Sequence, residues 1–141
     1  LMPIDIEAGM RNAMIDAGLA VLNVGGAGTL KTFAGAKPAN CAAADPATVL
    51  SVHVLANPAF RAAGTFGEPA GQALSYPVGA AAAAENTGTP GCWRLYDHAG
   101  TCRMQGTAGI ASGDLSFTTG IVQGLPVIVD SLRYIHPETG P

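Results

Sequence analysis

The sequence predicts a mainly β fold, a jelly-roll-like β-sandwich preceded by an N-terminal α-helix. Nineteen Gly and ten Pro among 141 residues exceed ordinary usage and suit short strands joined by tight turns. Alternation of apolar and polar residues recurs along the chain after Gly28, the signature of half-buried strands. Three- and four-residue apolar spacing is confined to the opening segment. At this length the chain is expected to be one domain. It divides into a helical segment (1–26), a β-sandwich (27–136) and a tail (137–141).

The opening helix is read from Ile6, Met10, Ala13, Met14, Ala17 and Val21, which this spacing places on one face. Asp5 stands where an N-cap is wanted, and Gly25-Gly26 end the pattern. Gly9 and Gly18 each weaken the helix by roughly 1 kcal/mol relative to Ala, so it needs packing partners.

Thr29–Ala34 is the first strand, followed by a loop of Pro, Ala and Asn through Ala47. Thr48–Leu55 is a stronger one, with Leu50, Val52 and Val54 alternating with Ser51 and His53. Asn57-Pro58 stops it, and Gly64, Gly67, Pro69 and Gly71 mark a long irregular connection over 59–72. Ala73–Tyr76 is a further short strand. Gly79–Ala84, rich in alanine, is too short between its flanking breakers for a stable helix and reads as extended chain.

Gly91–Gln105 reads as a hairpin turning at Asp97-His98-Ala99-Gly100. With Asp97 opposite Gly100, Leu95 faces Cys102 and Trp93 faces Met104, making one apolar patch. Arg94, Tyr96, Thr101, Arg103 and Gln105 then share the polar face. This register puts Cys92 and Cys102 on opposite faces, which argues against a disulfide between them. Asp114–Thr118 is a strand, and Val127–Ile135 a long closing strand begun by Pro126.

Charge narrows the function. Charged residues are 12% of the chain and the net charge is −3, with the basic residues scattered from Arg11 to Arg133, so no footprint for nucleic acid exists. No apolar run approaches the ~18 residues that span a membrane, and no secretory leader is visible. Three cysteines without CxxC spacing indicate neither a disulfide framework nor a zinc site. Synthesis in a reducing cytoplasm is expected.

Catalytic motifs do not assemble. Gly25–Thr32 imitates a phosphate loop, but Leu30 replaces the glycine before Lys31 and the segment follows a helix rather than a strand. His53, His98 and His136 lack ligand spacing to one another or to cysteine. None of Cys41, Cys92 and Cys102 sits at a strand-to-helix elbow. The expectation is a binding protein, not an enzyme, with no cofactor or metal. Arg94, Tyr96 and Arg103 on the hairpin are interface candidates, because Tyr and Arg are enriched where interfaces carry their energy. Tyr134 and His136 join them beside the tail.

Several of these segments, in this order, resemble small head-decoration (cement) proteins of tailed bacteriophages. They are Arg11-Asn12-Ala13-Met14-Ile15-Asp16-Ala17, the Gly-rich stop leading to Leu30, Gly35-Ala36-Lys37-Pro38-Ala39, Thr87 to Asp97, Gly113-Asp114-Leu115 and the closing strand. The resemblance implies a β-sandwich or jelly-roll body on the outer capsid surface of the virion, bridging neighbouring subunits of the major capsid protein. It also implies self-association as a dimer or trimer at a symmetry axis, and no catalytic residues. A tail or neck component of the virion is the alternative, followed by a β-sandwich carbohydrate-binding module.

Overall fold

The computed structural model describes residues 6–78 and 82–135. They form a mainly β protein with one N-terminal helix. Helix α1 (Ala8–Ala20) runs into a 3-10 turn, Val21–Asn23. Strands follow as β1 (Thr29–Ala34), β2 (Val49–Val54), β3 (Gln72–Leu74), β4 (Ala82–Ala83) and β5 (Pro90–Tyr96). The chain continues through β6 (Cys102–Ile110), β7 (Leu115–Phe117), β8 (Pro126–Val127) and β9 (Arg133–Ile135). Five strands make one sheet in the order β2-β1-β5-β6-β7, while β3–β9 and β4–β8 are separate two-stranded ladders.

The helix forms where the spacing places it, but in a different rotational phase. Ile15, Leu19 and Leu22 are buried, whereas Met10 and Met14 are 60% and 42% exposed. Polar side chains decide the orientation. Asn12 Oδ1 accepts from Gly71 N at 2.8 Å, Asp16 Oδ1 from Ala63 N at 2.8 Å, and Asn23 Oδ1 from Ala59 N at 3.1 Å. The connection after Pro58 pairs part of its backbone with the chain around β3, Arg61 N donating to Leu74 O and Gly64 N to Gln72 O, both at 2.9 Å. Helix α1 and the turn after it supply acceptors for the amides of Ala59, Ala63 and Gly71. That turns the methionines outward. Glu7 is the N-cap, accepting from Gly9 N and Met10 N at 2.7 and 2.9 Å. The expected cap, Asp5, lies outside the described residues.

β1 has its expected bounds; in β2 Leu50 is buried as expected, but beyond it the faces are inverted. Ser51 and His53 are buried at 0% and 2% exposure, while Val54 is 65% exposed. A bulge between Thr32 and Phe33 shifts the β1–β2 register and leaves Leu50 as the extra residue. The inward polar groups bond to one another: Thr32 Oγ1 and Ser51 Oγ are 2.5 Å apart, and His53 Nε2 is 3.1 Å from Ser51 Oγ, while the buried His53 Nδ1 finds no partner among the described residues. Internal pairing of this kind is what allows polar side chains a core position.

The hairpin turns where expected, with Gly100 N donating to Asp97 O at 3.0 Å. Its register differs: Trp93 opposes Gly106, Leu95 opposes Met104, and Tyr96 opposes Cys102. Gly100, at φ +88°, is a left-handed residue after the turn that shifts the pairing, and a bulge between Leu95 and Tyr96, with Arg103 as the extra residue, shifts it again. Trp93, Leu95 and Met104 still share an apolar face, packed toward α1. Cys102 crosses to the opposite face, beside Tyr96, Cys92 and Phe33. It therefore shares a face with Cys92, contrary to the sequence expectation.

β6 and β7 pair in parallel although few residues connect them, with Ala108 beside Leu115 and Ile110 beside Phe117. Parallel neighbours ordinarily need a crossover of about a dozen residues or more. Here Ala111 and Gly113 take φ +53° and +83°, and a mutual clamp closes the loop. Thr107 N donates to Asp114 Oδ2 at 3.0 Å, and Asp114 N donates to Thr107 Oγ1 at 3.1 Å. The expected closing strand Val127–Ile135 is two strands, β8 and β9. Between them the chain bonds to the segment after β3, through Ser75 N to Leu132 O and Val78 N to Asp130 O.

Each face of the main sheet is covered differently. Ile15, Leu19, Leu22, Leu30, Leu55, Leu95 and Val129 form the core on the helix side, continued by a smaller cluster of Leu50, Ala84, Ile121 and Val127. The other face carries Phe33, Cys92 and Tyr96 and is covered by a strap, residues 35–48. Among the described residues no helix is long and apolar enough to cross a membrane.

Candidate interaction surface

Arg94 illustrates how far a charged residue can be from the surface. Its side chain is 2% exposed, and the strap uses its donors. Nη1 reaches Ala43 O at 2.9 Å and Asp45 Oδ1 at 2.7 Å, Nη2 reaches Asn40 O at 3.0 Å, and Nε reaches Gln105 Oε1 at 3.2 Å. The Tyr96 hydroxyl donates to the same Asp45 oxygen at 2.5 Å, and Gln105 Nε2 donates to Pro38 O at 2.8 Å. A planar guanidinium with five donors suits this gathering of carbonyls and a carboxylate. Burial alone raises the Asp45 carboxyl, but the hydrogen bonds from Tyr96 and Arg94, with the charges of Arg94 and Lys31, hold it below its ordinary value. Arg94 and Tyr96 are therefore internal supports of the strap, a correction to their expected place on an exposed hairpin face.

Arg103 parts company with them. At the β5–β6 bulge it is the extra residue, and it lines a cleft on the helix side with Met14, Leu19, Leu22, Met104 and Tyr134. Its side chain is 48% exposed and pairs with Asp97 Oδ2 at 2.8 Å. Tyr134 is half-buried in the same cleft, of about 310 Å³. Two of the sequence candidates thus converge, and the exposed Met10 and Met14 lie on the adjoining helix. Flexible, polarisable methionines beside Arg and Tyr are the side chains that adapt to a protein partner. His136 lies outside the described residues.

A second apolar surface has no counterpart among the sequence candidates. From Leu115 to Val129 the chain carries no charged residue. Phe117, Thr119, Ile121, Val122, Leu125 and Ile128 line a shallow cleft of about 330 Å³. Val122, Leu125 and Ile128 are 49%, 57% and 70% exposed. The uncharged run is readable in the sequence, where its two ends fall in the expected strands Asp114–Thr118 and Val127–Ile135. β8 is so short that most of this segment leaves the ladder.

The two described histidines differ in role. His53 is buried, and burial lowers its pKa. His98 packs at the hairpin tip with Nδ1 3.2 Å from Ala27 O, over the glycine stretch that imitates a phosphate loop. Among the described residues no group of three or more His, Cys, Asp or Glu is placed to hold a metal ion. No protein-family model matches the sequence, and no curated protein or solved structure matches it.

Proposed function

We propose that this chain is a structural, non-enzymatic protein that fastens other protein subunits together, with major-capsid subunits on the outside of a tailed-phage shell as its partners. The observation that carries the reading is a pair of apolar surfaces with no residue in common. One surrounds Met14, Arg103 and Tyr134, and the other Val122, Leu125 and Ile128. Exposed apolar patches on a soluble chain mark interaction sites, and two of them suit bridging two neighbours better than binding one. The capsid as partner rests on the sequence resemblance, as does self-association of the chain. In this reading the β3–β9 and β4–β8 ladders are parts of a second layer facing the main sheet, as a jelly-roll-like sandwich requires. Repetition on a lattice then lets modest contacts add up through multivalency.

The test is a titration of purified protein onto undecorated, expanded capsids, read by sedimentation and cryo-electron microscopy. Saturable occupancy at symmetry-defined outer sites is expected. Met14→Glu and Ile128→Glu, both at exposed positions, should each weaken binding roughly tenfold or more with the fold intact by circular dichroism. Absence of binding to intact shells would move the assignment to a tail or neck component.

A further inference from the structure

We propose that Cys41 and Cys102 form a redox site, a dithiol that closes to an intramolecular disulfide by exchange with a small-molecule disulfide such as oxidised glutathione. The two residues are distant in sequence, yet Cys102 Sγ lies 2.7 Å from Cys41 Sγ and donates to it. Bringing sulfurs from there to bonding distance asks for a shift of less than about 1 Å.

Contacts that involve neither sulfur place both residues. Cys41 sits on the strap between two carbonyls gripped by Arg94, those of Asn40 and Ala43. The Asn40 side chain also accepts from Ala42 N and Ala43 N at 2.9 and 3.0 Å, folding the strap into a tight turn around Cys41. Cys102 is aimed at the strap by the β5–β6 bulge, which pairs it with Tyr96. Without that bulge its side chain would point toward α1. Both thiols are partly exposed, whereas Cys92 is fully buried, so an external disulfide can reach the pair and not the third cysteine.

The exchange balances in two steps. The Cys41 thiolate attacks one sulfur of the small disulfide, forming a mixed disulfide and expelling one thiolate, which takes up a proton. Cys102 then loses its proton and attacks the Cys41 sulfur, expelling the second thiol. Two protein thiols are oxidised and one small disulfide is reduced to two thiols. The order follows from Cys102, whose thiol is pushed up to about 12 by burial and by Cys41 beside it. It stays protonated until the mixed disulfide is in place.

Closure ties the strap covalently to β6 across the loop from residue 41 to residue 102, which restricts the unfolded chain. The folded protein is to be incubated with oxidised glutathione, then denatured, alkylated and mapped by peptide mass spectrometry. The expected product has lost two hydrogens, takes up one alkyl group instead of three, and yields a single Cys41–Cys102 cross-linked peptide. Cys102→Ser should instead stop at a glutathione adduct on Cys41. Hydrogen exchange of the amides in residues 36–47 should be slower in the oxidised protein than in the reduced one. Three alkylated cysteines after incubation, or a cross-link through Cys92, would overturn the proposal.

Discussion

Arg94 and Asp45 form an ion pair at 2.7 Å in which the arginine side chain is 2% exposed and the aspartate 40%. The asymmetry predicts which loss matters. Asp45→Ala removes a half-exposed residue but strands a buried guanidinium, and should cost about 3 kcal/mol, far above the median for surface pairs. Arg94→Ala leaves the Asn40 and Ala43 carbonyls without their donor and should cost a similar amount. Because both variants free the same strap, the double variant should fall short of the sum by about 1 kcal/mol or more. A double-mutant cycle by urea denaturation measures this directly, and additive losses would mean that the strap is held elsewhere.

Tyr96 sets the alkaline limit of the same cluster. Burial first, then the hydrogen bond to Asp45 and the carboxylate charge, raise its phenol above the ordinary value of 10.0. A raised folded-state pKa contributes stability that is complete below the unfolded value and is lost as pH climbs toward the folded one. Urea midpoints should therefore decline above pH 10.0, and Tyr96→Phe should flatten that limb. On the acid side the sign reverses. Asp45 and Asp97 are both held low, Asp97 chiefly by the Thr101 amide and then by Arg103. Stability from these two carboxylates is present above their ordinary value of 3.8 and drains away as pH falls through the lowered ones.

Gly106 carries a packing prediction. A Cβ there would lie 2.6 Å from the Trp93 indole, the residue directly across the ladder. Gly106→Ala must displace the ring or the strand, at about 1–3 kcal/mol. Trp93 is the single tryptophan, so its emission reports the displacement without ambiguity. A red shift with a lowered urea midpoint is expected; unchanged emission would show that the ladder yields instead of the ring.

The sequence was most legible where one residue type dictates local geometry. β1, the Asp97–Gly100 turn and the helix stop before Gly25-Gly26 all follow from such signals. Facing was harder to read, for a shared reason. Asn12 and Asp16 look like solvent residues until two amides of the connection after Pro58, those of Gly71 and Ala63, need their oxygens. Ser51 and His53 look solvated until Thr32 is seen to bond to Ser51, which in turn reaches His53. Bulges at Thr32/Phe33 and Leu95/Tyr96 then reassigned side chains that strict alternation had placed elsewhere. One clue to the strap was present: Asp45 is the only carboxylate between Asp16 and Glu68, and a lone acid in such a stretch asks for a partner.

Between the two amides captured by α1, those of Ala63 and Gly71, the connection projects a short tip at Thr65–Gly67. Thr65, Phe66 and Gly67 are all exposed. Phe66 touches the body through its ring, 3.7 Å from the Arg61 guanidinium, and the two clamps fix where the tip begins and ends. That makes the Phe66–Gly67 bond a graft point, where a foreign epitope or a fluorescent tag can be spliced in while Asn12 and Asp16 hold the flanking chain in place.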